Sequence, residues 1–271
     1  MNKKIFNVFL LILIANTTIV SVSAMQDVYE GPVSSRTRSK MHGIDKTTDK
    51  TGTTVYLEWY KIIDEYDIFF NLIKQLLPVQ AEAFVDVTRN FLDENFSIKS
   101  EYEEIVKKAL SKEDPNKNNA WSLRPNIEIA KIENRKRRVE VMLQAFEQDL
   151  KNGKYENLFR CSPILVMAKN EENKILGFAF YLLHPELIPK LKSLAGVVWL
   201  DVLAVLPEAQ GHGLAKLLFQ KVLKLIPDIK CVACETRIWN TKAQAVYESL
   251  GCKRIEGFSP TGVGFEYFVK K

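Results

Sequence analysis

The sequence predicts a mixed α/β (α+β) fold, in which a central mixed sheet is flanked by helices. Two apolar runs on either side of a polar turn at residues 170–173 indicate a β-hairpin. From residue 197 onward, strand-like apolar runs alternate with single amphipathic helices, which favours a sheet covered by helices. Between residues 55 and 110, apolar residues recur at three- and four-residue steps, so a helical block is expected upstream.

The composition is that of a globular chain. The 271 residues are 46% hydrophobic and 26% charged, which argues against wholesale disorder, a collagen or a polytopic membrane protein. The formal net charge of +5 is a mild excess and does not indicate a nucleic-acid partner. Four cysteines in a chain of this length are too few for a disulfide scaffold.

The first 24 residues form a separate unit. Lys3 and Lys4 precede an apolar run at residues 5–15, and small residues surround Ala24, a pattern typical of a secretory signal peptide. We therefore expect cleavage after Ala24 and a secreted or exported protein. An uncleaved membrane anchor is the alternative, although the apolar run is short for a span of about 20 residues. A buried N-terminal strand is a third interpretation.

Residues 25–54 are expected to form a flexible linker. The segment is rich in Ser, Thr, Gly, Lys and Asp, and it has too few apolar side chains to offset the entropy of ordering. Residues 55–125 follow as a helical N-terminal region, in which Pro78 is expected to end the first helix. The aromatic residues of this region are interpreted as core.

Residues 126–271 are expected to form the main α/β domain. Apolar and polar residues alternate at 126–132, which predicts its first strand, whereas 55–60 is an alternative first strand that would bring the helical region into the domain. An amphipathic helix at 139–150 leads to the hairpin. The later elements are a strand at 197–206, a helix at 214–226, a strand at 231–239, a helix at 241–250 and a strand at 265–269.

A loop containing two glycines joins the strand at 197–206 to the next helix. Its residues are Gln210, Gly211, His212, Gly213, Leu214, Ala215 and Lys216. Glycines let backbone N–H groups approach a ligand, and the start of a helix favours negative charge, so the loop predicts a cradle for phosphate. Lys216 stands where a dinucleotide fingerprint needs a small residue, and the Walker pattern is absent. A plain turn between strand and helix is the other interpretation.

A second element follows about 25 residues later. Asn240 can cap a helix through its side chain. Ala243, Tyr247 and Leu250 would share one face of that helix, and the small alanine would leave room for a cofactor. Gly251 is expected to end the helix.

These two elements resemble motifs of the GNAT superfamily of N-acetyltransferases. The Gln-x-x-Gly-x-Ala pattern at Gln210, Gly213 and Ala215 resembles that family's pyrophosphate-binding loop. The Asn-x-x-Ala-x-x-x-Tyr pattern that begins at Asn240 resembles its later helix. Cys252 departs from the family, which usually has an aromatic residue there. The resemblance covers the chain from the hairpin onward and implies a GNAT-like sheet.

The resemblance implies acetyl-CoA as the co-substrate and an amine-bearing acceptor, either a small molecule or a protein, rather than a nucleic acid. The pyrophosphate would lie on residues 210–216, with Asn240 also in the cofactor site. The pantetheine arm would bond to the backbone of Leu203, Ala204 and Val205, where the sheet splays open. No metal is expected, because Cys231 and the cysteine three residues later have no second pair at metal-ligand spacing.

Attack by an amine requires a base, because a lysine-like amine with a pKa of about 10.4 is protonated at pH 7. Asp201 is the candidate, as the one carboxylate in an otherwise apolar strand. An outward-facing or ion-paired Asp201 is the other interpretation, and Glu235 is a second candidate base. By the resemblance, Tyr247 is the general acid toward the leaving thiolate, with a plain core tyrosine as the alternative.

The sequence thus predicts an acetyl-CoA-dependent N-acetyltransferase that acts on a primary amine after export. The alternative is a GNAT-like module that binds CoA without turnover and has a regulatory role. An exported enzyme would have to meet acetyl-CoA beyond the membrane it crosses, in a host cell or an organelle lumen. Membrane contact is expected only through the N-terminal segment, if that segment is not cleaved.

Overall fold

The computed structural model describes residues 42–62, 65–112, 123–153, 155–188, 191, 194, 196–226, 228–259 and 261–269. The strands in these residues are β1 (His42–Thr48), β2 (Thr54–Lys61), β3 (Pro163–Lys169), β4 (Ile175–Leu182), β5 (Val198–Val205), β6 (Cys231–Arg237), β7 (Lys253–Ser259) and β8 (Gly262–Phe268). They form one sheet in the order β1-β2-β3-β4-β5-β6-β8-β7. Neighbouring strands are antiparallel except β5 and β6, which run parallel.

Helices cover both faces of this sheet. In the described residues they are α1 (Tyr66–Phe84), α2 (Ser100–Lys112), α3 (Leu123–Lys131), α4 (Arg135–Lys151), α5 (Glu156–Arg160), α6 (Leu214–Leu225) and α7 (Thr241–Ser249). Helix α1 packs on β4 and β5, where the rings of Phe69 and Phe180 lie 5.9 Å apart. Helix α6 packs on the opposite face, where the Tyr181 hydroxyl donates to the Leu218 carbonyl at 3.3 Å. We call these the α1 face and the α6 face.

The β1–β2 hairpin extends the sheet at one edge. Lys221 of α6 pairs with Asp45 of β1, and the Lys221 ammonium lies 5.4 Å from the centroid of the Trp59 ring. Gly43 leaves room for that ring, because a Cβ at this position would lie 2.7 Å from the indole. A charge pair and an aromatic ring therefore hold this hairpin to the α6 face.

The predicted mixed α/β class, with a central sheet flanked by helices, is confirmed. Two local predictions were wrong. Residues 42–54, expected within the flexible linker, form β1, the turn that follows it and the first residue of β2. The expected strand at 126–132 lies largely in α3, whereas the alternative at 55–60 lies within β2. The alternation around Ile129 is too short to distinguish the two-residue period of a strand from the period of a helix. In α3 both Ile129 and Ala130 are buried.

Besides β1, the short elements α5 and β7 were not predicted. The expected signal peptide and residues 25–41 of the expected linker lie outside the described residues. Among the described residues, no helix combines the length and the apolar character needed to cross a membrane. All four cysteines are buried thiols.

Helix α1 continues through Pro78, where the sequence predicted its end. Proline lacks the N–H that would bond to the carbonyl of Lys74, and its ring crowds the preceding turn. Leu76, Leu77 and Val79 are buried on either side of it, so packing keeps the helix intact. Pro78 itself is exposed, and its ring is therefore not needed for the core.

We expect Pro78→Ala to stabilise the protein, because alanine restores the missing hydrogen bond in an exposed helix position. The free energy of unfolding should rise by about 1–3 kcal/mol, measured by urea denaturation. Gln75→Ala, at another exposed position of α1, is the control and should change it by less than about 0.5 kcal/mol. An unchanged or lower stability of Pro78→Ala would contradict a continuous helix.

Candidate active site

The parallel contact between β5 and β6 is short and opens into a gap. Residues 198–200 of β5 pair with residues 232–234 of β6. Among the described residues, no pairing joins the two strands beyond this point, although β5 continues to Val205 and β6 to Arg237. We call the last pair, Leu200 and Cys234, the vertex of the gap.

Asp201 lies in a β-bulge directly after the vertex. The pairing of β4 with β5 skips Asp201, because Tyr181 pairs with Leu200 and the preceding residue of β4 pairs with Val202. The Trp199 indole N–H donates to the Asp201 carboxylate at 3.3 Å. Burial raises the pKa of Asp201 to about 6, and the bond from Trp199 opposes that rise. Asp201 is thus a half-buried carboxylate that can exist in either protonation state near neutral pH.

The loop after β5 presents backbone N–H groups at the start of α6. Gly211 and Gly213 have φ values of 85° and 84°, a region that favours glycine. Gly213 is the N-cap residue of α6 and has no side chain with which to cap it. In the described part of the chain, the N–H groups of residues 211–215 donate no backbone hydrogen bond. The loop therefore has the donors and the helix dipole that an anion requires.

The β5 edge along the gap has backbone groups available. The Ala204 carbonyl points toward β4, since a Cβ on Gly177 would lie 2.7 Å from it. Because alternate residues of a strand direct their backbone groups to opposite edges, Leu203 and Val205 face the gap. The Val205 carbonyl accepts a hydrogen bond from the Gln210 side chain at 3.2 Å. Of the three positions predicted to bind pantetheine, Leu203 and Val205 are thus on the gap side and Ala204 is not.

The turn between β1 and β2 packs against the glycine loop. The Lys50 N–H donates to the His212 carbonyl at 3.0 Å, and His212 Nδ1 lies 3.4 Å from a carboxylate oxygen of Asp49. Hydrogen bonds from the turn, led by that of the Thr51 hydroxyl, hold the pKa of Asp49 below its usual range. The stem of Lys50 would lie 3.6–3.8 Å from a Cβ on Gly213. The turn therefore supports the loop from the side.

Asn240 and Tyr247 have different environments in α7. Asn240 caps the helix, accepting a hydrogen bond from the Ala243 N–H at 3.3 Å. Tyr247 is buried, and its ring centroid lies 5.2 Å from that of Phe265. Burial, together with the neighbouring Cys234 thiol, raises the pKa of Tyr247 well above its usual range. Its phenol therefore keeps its proton at neutral pH.

Asp201 and Tyr247 lie on opposite faces of the sheet at the same vertex. Asp201 lines a cavity beneath α1. Tyr181 contacts α6, and it pairs with Leu200, which in turn pairs with Cys234, so these three side chains lie on the α6 face. Tyr247 lies beside Cys234 and is therefore on the same face. The gap therefore has a carboxylate on one side and a protonated phenol on the other.

The second candidate base, Glu235, has a partner of its own, and the contributions of Asp49 and Lys50 were not predicted from the sequence. Glu235 accepts a hydrogen bond from Ser259 of β7. Asp49 and Lys50 were assigned to a linker, and their one sequence signal is the Asp-x-Thr-x-Thr pattern of a turn. Their contact with residue 212 joins segments far apart in the chain, which a local pattern does not reveal.

We expect Asp49→Ala to loosen both the β1–β2 turn and the glycine loop, because it removes the acceptor that organises the turn and contacts His212. Hydrogen–deuterium exchange should accelerate at residues 49–53 and at residues 211–213. Asp93→Ala is the matched control, since Asp93 also accepts from the N–H groups two and four residues later, at 2.9 and 2.8 Å. Equal exchange at 211–213 in wild type and Asp49→Ala would show that the turn does not support the loop.

Comparison with known proteins finds a family match for residues 127–252. They match the family model described as the acetyltransferase (GNAT) family, over just under half of the chain. No protein with a curated description matches the chain.

Similar solved structures are distant in sequence. A GNAT-family acetyltransferase from Staphylococcus aureus is 15% identical, with a TM-score of 0.38, over 64% of this chain and 96% of that one. An acetyltransferase from Thermus thermophilus is 15% identical, with a TM-score of 0.38, over 47% of this chain and 75% of that one. Arabidopsis thaliana NAA60 in complex with a bisubstrate analogue is 19% identical, with a TM-score of 0.34, over 46% of this chain and 82% of that one. Residues 127–252 are thus similar to an acetyltransferase domain of the GNAT family.

Proposed function

We propose that this protein transfers an acetyl group from acetyl-CoA to a primary amine, which attacks the thioester directly. The acceptor is a small molecule, a lysine side chain or a protein N-terminus. The observation that carries the proposal is the gap between β5 and β6. It begins at a vertex flanked by Asp201 and Tyr247, and β5 leads from it into the glycine loop.

The residues around the gap suit a long ligand with an anionic end. The N–H groups of residues 211–215 would bind the pyrophosphate, because they donate no backbone hydrogen bond among the described residues and the start of a helix favours negative charge. Leu203 and Val205 on the β5 edge offer strand-like hydrogen bonds to the amides of pantetheine. Acetyl-CoA bound in this way would supply the thioester that the amine attacks.

Asp201 would act on the attacking amine. A lysine-like amine must lose a proton before it attacks, which costs roughly 4–5 kcal/mol at pH 7. A carboxylate with a pKa of about 6 is mostly ionised at pH 7 and can accept that proton, directly from the gap or through a water molecule. The position of Asp201 one residue beyond the vertex supports this role.

Tyr247 would act on the leaving group. Its raised pKa keeps it a hydrogen-bond donor throughout the neutral range, and it lies on the face opposite Asp201. Proton acceptance and proton donation would thus be separated by the thickness of the sheet. This separation keeps the phenol from donating to the base instead of to the leaving thiolate.

We expect isothermal titration to detect binding of acetyl-CoA and CoA, and Gly213→Glu to weaken it at least ~10-fold, because a carboxylate would face the phosphates. Gly196→Glu is the matched control, since Gly196 has a φ of 79° and open space around it. Gly196→Glu therefore imposes a similar strain of a positive φ, but at a position outside the glycine loop. Absence of binding by the folded wild type would overturn the proposal. Binding without transfer to any amine in a screen would favour a CoA-binding module that lacks turnover.

We expect the rate of amine acetylation to rise with pH through a midpoint near 6, where Asp201 becomes ionised. Asp201→Asn should remove this limb and lower the rate at pH 7 by about 10²–10⁴-fold. Asp228→Asn, which changes an exposed carboxylate, should change neither the rise of the rate with pH nor the rate at pH 7. A full rate in Asp201→Asn would exclude Asp201 as the base.

A further inference from the structure

A small cavity lies on the α1 face behind Asp201. Its walls come from α1, β4, β5 and the segment around α5, and they are apolar except for the side chains of Gln80, Tyr155 and Asp201. The space is sufficient for about one water molecule. A cavity of this size does not admit an acceptor substrate, so its polar groups need another explanation.

Two of these polar groups have no partner within the described residues. Neither Gln80 Nε2 nor the Tyr155 hydroxyl forms a hydrogen bond there, although each residue is only 4% exposed. Buried polar groups are almost always hydrogen-bonded, because removing them from water without a partner costs free energy. The donors that line the cavity therefore indicate that it contains a hydrogen-bonded group, and the Asp201 carboxylate lines the same space and can accept hydrogen bonds.

We propose that Gln80 and Tyr155 are positioning residues that donate hydrogen bonds toward the Asp201 carboxylate across this cavity, through a single water molecule. Gln80 Nε2 can only donate. Burial raises the pKa of Tyr155 far above its usual range, as do Asp149 and Asp201 to a smaller extent, so its hydroxyl also remains a donor. Donors that face a carboxylate favour its ionised form.

Other ionisable groups also face this site. Asp149 of α4 is fully buried and acts on Tyr155. Burial, followed by Asp201 and Glu186, raises the pKa of the Cys161 thiol to about 12, so that thiol stays neutral. The Trp199 indole donates to Asp201 directly. Neither Cys161 nor Trp199 replaces the two donors, because the Cys161 thiol donates to the Asn157 carbonyl at 3.3 Å and Trp199 does not line the cavity.

The catalytic consequence rests on the proposed function, but the hydrogen bonds can be tested without it. In protein labelled with ¹³C at the aspartate carboxyls, the Asp201 resonance is assigned by its absence in Asp201→Asn and titrated by NMR. Tyr155→Phe and Gln80→Met each remove a donor at nearly constant volume. We expect each to raise the pKa of Asp201 by on the order of 0.5–1 unit. The acidic limb of the acetylation rate should move by the same amount.

Tyr66→Phe and Gln144→Met are the matched controls, because both residues are exposed and neither lines the cavity. If either test variant leaves the pKa of Asp201 unchanged or lowers it, the proposal is wrong. Should Gln80→Met fail to fold, Gln80→Leu removes the same donor without adding a charge and should also raise that pKa. Because the titration needs no substrate, an inactive wild type would overturn the proposed function while the positioning role is still tested.

Discussion

The early separation of β5 from β6 is the constraint on which the rest of the candidate site depends. Parallel pairing stops after three residues, and the bulge at Asp201 follows directly. Two strand edges in the middle of the sheet are therefore left open to a ligand. This arrangement brings the base candidate, the acid candidate and the phosphate cradle into one continuous path.

Segments upstream of the family match contribute much of the support for that path. The β1–β2 turn holds the glycine loop through Lys50 and Asp49. Helix α1 covers Asp201 and supplies Gln80. The pairing of Lys221 with Asp45 joins α6 to β1. The β1–β2 hairpin thus contacts both the glycine loop and the later part of α6. The site is thus built from the whole described chain, although its motifs come from one part.

Local signals were predicted well, and long-range ones were not. The hairpin at β3 and β4, the cap at Asn240 and the glycine loop each depend on residues close in sequence, so their patterns could be read directly. Strand β1 and its contact with residue 212 depend on pairing with distant segments, and its polar sequence resembles a linker. The helix through Pro78 was missed because tertiary packing outweighed the local preference of proline. Gln80 and Tyr155 carry no motif, and only their burial beside one cavity distinguishes them.

The topology also bears on how the chain acquires its structure. Lys61 of β2 pairs with Ile164 of β3, so roughly 100 residues must be closed into a loop before the first two strands join the sheet. A two-stranded hairpin alone is marginally stable in water. During synthesis, β1 and β2 emerge long before their partner exists, and non-local pairing of this kind is slow. The part of the chain that steadies the glycine loop is therefore made about 100 residues before the strand it pairs with, and it enters the sheet only after β3 has been synthesised.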